Sequence, residues 1–493
     1  MRTGSQYLNR IRKDGRNVYV DGARVEDVTT HPAIQGIATT IAGLYDFAHD
    51  PVNGMQFLAP EIGKPANACY LIPRSVADLQ RRRQAIAAWA GRTQGLVGRS
   101  PDHVGAFLAG FAGATEFFKH PTRPFDQNVA RFYKEVLAQD LYVSYVIIPP
   151  QVDRSKTAKD WEDKFLQAGV VEEREDGIVI RGSQMLGTGT TVSDYLLCSC
   201  IVPLKPGDED YANTFVVPVN APGLKLYCRP PYGPGKPSTF DYPLSTRFDE
   251  TDALVVFDNV FIPWKDVFVY RDVTKVREQF FKTPAHVLGN NQAQIRLTAK
   301  MKFLIGLARK IVAVNQIEAI PSVMEKLGEL ASLAAIVEGM EIASEATCLI
   351  DEYNVARPNP RFLYGVMGLQ SELYPRAMQA FRELAGGGVL QVPSSFRDLT
   401  NAETKDDIER YVRSPGTTAT ERIKLFKLAW DLMGTEFGGR HLQYEMFYAG
   451  APYIAKANAY RNYGYGEPLG IVERFLSGYA LPEEKPQAAA NKA

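Results

Sequence analysis

Apolar residues recur every three to four positions through much of the first 140 residues. In SVADLQRRRQAIAAWAGRTQGLVG (75–98) and RFYKEVLAQDL (131–141) that spacing predicts helices with one buried face. From about 141 to 270 the period shortens to two. GIVIRGSQML, DYLLCSCIVPL, NTFVVPV and ALVVFDNVFI read there as strands set apart by Gly, Pro, Asn and Asp clusters, and together as an antiparallel barrel or sandwich. After 275 the helical period returns, with Leu304, Leu307, Ile311 and Val314 on one stripe, and long helices that should pack as a bundle continue to about 480. The division expected is a mostly helical segment over 1–140, a β segment over 141–272, a helical bundle over 273–480 and a disordered tail over 481–493. The class is α+β, mostly α. In the most apolar stretch, Leu333 to Ile350, Leu333, Ile336, Val337, Met340 and Ser344 share one helical face and Glu338, Glu341 and Glu345 another. This predicts a half-buried helix and not a membrane span.

Composition narrows the partners. The chain has 493 residues, 45% of them hydrophobic, with Lys+Arg and Asp+Glu equal at 56 each, so it can bury large cores and carries no net charge suited to nucleic acid or an anionic membrane. Five cysteines, odd in number and without CxxC spacing, argue against a disulfide framework and a structural zinc site, and a reducing, cytoplasmic compartment is expected. The first twenty residues show no apolar leader region. None of the six histidines pairs with another or with Cys at i+3 or i+4, and no GxSxG elbow is present, so no metal is expected and the hard chemistry falls to an organic cofactor.

Three glycine-rich strings are candidate phosphate sites. GTGTTV from Gly187 offers only G-x-G and leads into more strand, and GGG at 386–388 reads as a helix-joining turn. GTEFGGRH from Gly434 is a glycine-flanked turn ending in Arg440 and His441, whose backbone N–H groups and guanidinium suit a pyrophosphate. In GRSPDHVGAF (98–107), Ser100, Pro101 and Asp102 are helix-start signals, and the helix begins at Pro101. Arg99 just outside that positive end and His103 in its first turn bring two donors to one spot. A plain salt bridge by Arg99 and a surface place for His103 would account for the same residues.

YPLSTRFDETDALVVFDNVFIPWKDVFVYRD (242–272), GRSPDHV, PPQVDRSK and FKLAWDLMGTEFGGRHLQYEMFYAGAP together resemble the 4-hydroxyphenylacetate 3-hydroxylase family, the oxygenase halves of two-component aromatic monooxygenases, over nearly the whole chain. The resemblance implies an acyl-CoA-dehydrogenase-like fold: a helical N-terminal domain, a middle β-barrel, a C-terminal helical bundle, usually in a homotetramer. It implies hydroxylation of a phenolic or related aromatic ring with O2 and FADH2 through a C4a-hydroperoxyflavin, the FADH2 coming from a separate NAD(P)H:flavin reductase. The flavin positions matched here are Tyr145, Val146 and Ile147, the run Gln151, Val152, Asp153 and Arg154, Thr188, and the turn Gly434, Thr435, Glu436, Phe437 and Gly438 with Arg440. Substrate positions are Arg99, His103, Cys200 and Ile201. Family members with a 4-hydroxyphenylacetate substrate carry tyrosine at the site of His103 and histidine at the site of Tyr145, so the two donors are exchanged here. His286 matches the histidine that deprotonates the phenol in chlorophenol and nitrophenol members, which leaves His286 and His103 as alternative bases beside a charge-stabilising Arg99. Two rival readings are a dehydratase of the 4-hydroxybutyryl-CoA branch, which needs cluster-binding cysteines where this chain has Arg99 and His103, and a catalytically silent assembly protein.

Overall fold

The computed structural model describes residues 1–233, 235, 238–448 and 450–481, so the expected disordered tail lies, past residue 481, outside the described residues. The first segment holds α1 (Gly4–Ile11), β1 (Asn17–Val20), β2 (Ala23–Val25), α2 (Gln35–His49), β3 (Gln56–Ala59), β4 (Lys64–Asn67), α3 (Val76–Arg92), α4 (Pro101–Gly113) and α5 (Phe125–Gln139). Then come β5 (Val143–Val146), β6 (Gly169–Glu173), β7 (Gly177–Thr188), β8 (Tyr195–Cys198), β9 (Thr214–Pro218), β10 (Leu224–Cys228), the single turn α6 (Ser245–Phe248), β11 (Asp252–Pro263) and β12 (Val267–Val269). The last segment runs α7 (Lys275–Lys282), α8 (Ala285–Val314), α9 (Pro321–Ala346), the two-residue strands β13 (Leu349–Ile350) and β14 (Ala356–Arg357), and α10 (Pro360–Ala385). It ends with α11 (Lys405–Tyr411), α12 (Ala419–Met433), α13 (Glu436–Phe447), α14 (Pro452–Asn462) and α15 (Gly466–Leu476).

The expected α+β, mostly α class is what forms, with the β-rich part between two helical ones. The strands make a six-stranded sheet in the order β2-β1-β10-β11-β7-β6 and a four-stranded one in the order β12-β9-β8-β5. A bridge between Ile148 and Met185 brings the β5 edge to β7. Two details depart from the periodicity reading. β1 and β2, from the first segment, complete the larger sheet, and β1–β10 and β5–β8 are parallel where an antiparallel arrangement was expected. A period of two reports which face of a strand is buried and carries no information on the direction of its neighbour.

One apolar core runs continuously from the first helices through both sheets into the bundle. Its most enclosed part is the contact of α4 with the first half of α8, where residues 101–111 and 285–298 are buried on every side. Glycines make that approach possible: a Cβ on Gly110 would lie 2.4 Å from the backbone of Ala285, and one on Gly289 would meet the Phe107 ring.

The helix across 333–350 is the clearest correction. It ends at Ala346, Ile336 lies outward, and Glu341 and Glu345 are buried although the apolar stripe placed them on the solvent face. They point at α3 and α8: Glu345 accepts from Arg83 at 2.8 Å and from Asn291 at 3.0 Å, and Glu341 accepts from Thr298. Helices on both sides of α9 widen its covered face, and those partners make the buried carboxyls tolerable. Burial and the neighbouring Glu345 push the Glu341 carboxyl up to about 8. A folded-state pKa raised above the unfolded value gives a stability contribution that is whole below about 4.5 and is lost as pH rises through about 8. Apparent stability in urea should therefore fall between those pH values, and Glu341→Gln should flatten the fall and gain on the order of 1–3 kcal/mol at its upper end. A variant with the parent's pH profile would refute this.

Candidate active site

The helix start at Pro101 holds, but Ser100 does not cap it: its hydroxyl donates to Asp102 Oδ1 at 2.5 Å, and both residues are buried. Arg99 is fixed by its backbone. Its N–H donates to Glu250 at 2.6 Å and its carbonyl accepts from the Tyr142 hydroxyl at 2.5 Å. The guanidinium lies over three rings, 4.1 Å from the centroid of Tyr448, 5.2 Å from Tyr145 and 5.6 Å from Tyr444. One of its nitrogens donates to His103 Nε2 at 2.9 Å. Since arginine has no acceptor, Nε2 carries the lone pair and Nδ1 the proton, which Gln292 Oε1 accepts at 3.1 Å. Burial, and then the Arg99 charge, push the imidazole pKa far down, so His103 is neutral, with its lone pair already used.

Tyr145 on β5 joins this cluster, its ring 5.3 Å from His103 and 5.8 Å from Phe107. Val146 ends the strand, Ile147 follows it, and both are buried. Ile201 N–H donates to the Ile147 carbonyl, so Cys200 and Ile201 leave β8 beside the end of β5. Burial first of all pushes the Cys200 thiol up to about 11, so it serves as a wall and not as a nucleophile. Gln151, Val152, Asp153 and Arg154 form an exposed loop beyond β5. In it Asp153 accepts from Ser155, and Arg154 has no carboxylate partner among the described residues.

The GTEFGGRH string is a helix start and not a loop. Gly434 ends α12, Thr435 caps α13 by accepting from the Gly438 N–H, and residues 436–447 are helical. Glu436 is exposed and Phe437 is core, edge-to-face with His441. Arg440, expected at a pyrophosphate, is 9% exposed and pairs with Glu250 at 3.0 Å and Asp252 at 3.0 Å, so two carboxylates already meet its charge inside the protein. Asp252 also accepts from Thr188 at 2.5 Å and pairs with Arg229 at 2.7 Å. Despite burial, Arg440 and Arg229 hold its carboxyl far below the usual range. Thr188 and Arg440, both expected at the cofactor, thus meet through one carboxylate.

His286 is placed apart. Its Nδ1 is 2.8 Å from the Tyr364 hydroxyl of α10, Asn290 lies next to it, and its ring packs 4.6 Å from Phe281. On α8 it precedes Gln292 by six residues, about 9 Å along the axis and about 120° around it. His286 therefore faces α10 while Gln292 faces His103. Burial, with Arg357 second, lowers its pKa to about 4. The structure brings together Arg99, His103 and Tyr145 and leaves His286 in its own surroundings. Sequence reasoning missed Tyr444 and Tyr448, Gln292, and the pair Glu250 and Asp252. Tyr444 and Tyr448 stand four residues apart behind GGRH, a spacing that puts both on one helical face. No group of residues suited to a metal ion occurs among the described residues, and no helix there is long and apolar enough to cross a membrane.

Comparison with known proteins covers nearly the whole chain. Residues 3–269 match the family model "4-hydroxyphenylacetate 3-hydroxylase N terminal" and residues 276–477 its "C terminal" counterpart. The chain is 32% identical over 471 residues to a 4-hydroxyphenylacetate 3-monooxygenase oxygenase component of Thermus thermophilus, covering 95% of this chain and 96% of that protein. It is 33% identical over 488 residues to a 4-nitrophenol 2-monooxygenase oxygenase component of a Rhodococcus species, covering 97% and 92%. A crystal structure of the oxygenase component of 4-hydroxyphenylacetate 3-monooxygenase complexed with FAD and 4-hydroxyphenylacetate superposes with a TM-score of 0.92 at 31% identity, over 97% of this chain and 99% of that one. An archaeal 4-hydroxybutyryl-CoA dehydratase from N. maritimus shares the fold, with a TM-score of 0.89 at 20% identity over 99% and 97%.

Glu250 is the shared partner of the Arg99 backbone and the Arg440 guanidinium. Glu250→Ala should lower stability by about 3–5 kcal/mol, because a buried cation loses a partner. Glu250→Gln, which keeps an acceptor for the Arg99 N–H, should cost about 1–3 kcal/mol. Denaturant melts that rank the two the other way would count against the knot.

Proposed function

The chain belongs to the 4-hydroxyphenylacetate 3-hydroxylase family, and on that premise we propose that Arg99, His103 and Tyr145 form the substrate end of its active site and bind the ring of a phenol. The enzyme is an FAD-dependent aromatic monooxygenase, the oxygenase component of its system. The observation that carries the residue assignment is a part-buried guanidinium ringed by Tyr145, Tyr444 and Tyr448, with one N–H on His103 and the others free of protein acceptors among the described residues. Such a cation stabilises a phenolate in a site whose walls are otherwise apolar.

The residues present fit FAD. The Tyr444 hydroxyl, beside Arg99, is buried with no hydrogen-bond partner, and the exposed loop bearing Arg154 follows directly on β5. Tyr145 to Ile147, Gln151 to Arg154, Thr188 and the start of α13 from Gly434 to Gly438 would hold the flavin, with Arg440 bracing that wall from behind. When bound as FADH2 it supplies the two electrons that send one atom of O2 to water while the other enters the ring. The protein's part is to hold the substrate oxygen at Arg99, keep water away with Phe107 and Cys200, and ionise the phenol. Of the two imidazoles His286 is the base in this reading. His103 has its lone pair on Arg99, which leaves His286, its Nδ1 2.8 Å from the Tyr364 hydroxyl and 3.3 Å from the Asn290 amide, as the other imidazole. A halophenol or heteroaromatic ring suits a pocket with the His103 and Tyr145 exchange better than 4-hydroxyphenylacetate does.

FADH2 comes from a separate NAD(P)H:flavin reductase in this reading, the compartment is the cytoplasm, and the pathway is aromatic catabolism. The assembly is a homotetramer. α15 has no buried residue, and its Leu469, Val472, Phe475 and Leu476 are all more than half exposed, a face that calls for a copy of the chain against it.

Three outcomes test these assignments. Arg99→Ala should cost about 2–4 kcal/mol of transition-state stabilisation in single-turnover hydroxylation. His286→Ala should release hydrogen peroxide in place of product at neutral pH and regain coupling as rising pH ionises the phenol in solution, so full coupling at neutral pH in that variant would remove His286 as the base. Phe475→Asp should break the tetramer into smaller species in light scattering, and an unchanged mass would place the interface elsewhere.

A further inference from the structure

His103 is held from behind as well as in front. Its Nδ1–H donates to Gln292 Oε1 at 3.1 Å, and the Gln292 amide favours the charged form of Asp102, which takes the Ser100 hydroxyl at 2.5 Å. Gln292 and Asp102 are both 1% exposed, so no water competes for either. The directions agree along the whole chain. Ser100 donates to the Asp102 carboxylate, and Gln292, whose amide favours that carboxylate's charge, turns its oxygen to Nδ1. Nδ1 must then carry the proton, Nε2 is left as a lone pair, and Arg99 donates to it at 2.9 Å. The Tyr448 hydroxyl, 3.4 Å from Nδ1, gives its own proton to the Gly98 carbonyl at 2.9 Å, so its oxygen is free to accept from Nδ1–H.

From this geometry we propose that Gln292, oriented by Asp102, is a positioning residue that fixes His103 as the Nδ1–H tautomer and so aims the Arg99 guanidinium at the substrate oxygen. The inference rests on the reading of Arg99 as the phenolate contact. It goes further in giving His103 the role of a neutral acceptor that steers a cation. Were the tautomer reversed, an Nε2–H would face the guanidinium with donor against donor, and Arg99 would have to swing away.

The groups around His103 limit what else could set its state. Arg99 lies before it on the chain, Asp102 is beside it on α4, and Gln292 and Arg296 face it from α8. Tyr448 faces it from the end of α13, Tyr145 from β5, and Glu445 from behind Arg296, at 2.6 Å from that guanidinium. Glu250 acts on the other side of the imidazole, through the Arg99 N–H, and Asp102 and Gln292 stand together on the Nδ1 side.

The tautomer can be read in the whole protein without substrate. With 15N-labelled histidine the chain has six imidazoles, and a His103→Asn variant assigns one of them. His103 should show a protonated Nδ1 and an unprotonated Nε2, and it should not titrate down to pH 5. Asp102→Leu, which frees the Gln292 amide to turn over, should give a mixture of tautomers, and Gln292→Glu should move the His103 titration up into the neutral range. As a second readout, Gln292→Leu should weaken equilibrium binding of 4-nitrophenol about tenfold while its FAD affinity stays within twofold of the parent, a split that general loosening would not produce. A protonated Nε2 in the parent protein, or a Gln292→Leu variant that binds 4-nitrophenol as the parent does, would overturn the proposal. Failure of the parent itself to bind 4-nitrophenol would count against the phenol reading instead, and the imidazole spectra would then decide the positioning role alone.

Discussion

Arg440 is held between Glu250 and Asp252 where the β-rich part of the molecule meets the helical bundle, and most of the site hangs on that contact. A guanidinium taken out of water is costly to hold unless it is fully paired, and here both carboxylates are engaged again: Asp252 by Arg229 and Thr188, Glu250 by the Arg99 N–H. The knot therefore ties the first residue of β11 to the end of β7, to a helix of the bundle, and to the residue that enters α4. It is a structural use of a residue type that in isolation suggests a phosphate contact. The difference lies in whether two acids are in reach.

A second polar seam runs along α8. Asn291, Gln292, Gln294, Arg296 and Lys300 are buried with partners on the neighbouring helices. Glu445 on α13 takes both Arg296 and Lys300 at 2.6 and 2.8 Å. Although burial alone would raise it, those two cations hold the Glu445 carboxyl down at about 2, while burial brings Lys300 down to about 8. Arg296 in turn lies 4.5 Å from the Tyr448 ring, whose other neighbour at 4.1 Å is Arg99. Tyr448 thus separates two guanidiniums, one neutralised inside the bundle and one left with charge to offer. This arrangement gives Arg99 directed electrostatics without a carboxylate on its side chain.

Much of the architecture was legible because it is written in local period. The strands beginning at Gly177, Tyr195, Thr214 and Asp252 and the helix stripe through Leu304, Leu307 and Ile311 form where the alternation placed them. So did the helix start at Pro101, since proline and an acid in the first turn act within a few residues. The direction of β5 against β8 and the recruitment of β1 and β2 into the larger sheet were not legible, because strand pairing joins residues distant in the chain. Arg99, His103 and Tyr145 could be picked out by motif, but the GGRH string on α13 carried no sign that its arginine pairs with Glu250 and Asp252.

The sequence by itself determined the class of the protein, the positions of its helices and strands, and a short set of polar residues that a packed core would not require. Those follow from spacing, capping chemistry and residue type, all of which act over a few residues. Only the tertiary structure decided which of those residues work together. It set Arg440 against two acids, turned His286 toward Tyr364, buried Glu341 and Glu345, and gave His103 a defined tautomer through Gln292, which lies 189 residues away in the chain. Charge and proton positions depend on neighbours and on the loss of water, and both exist only once distant segments have closed on one another.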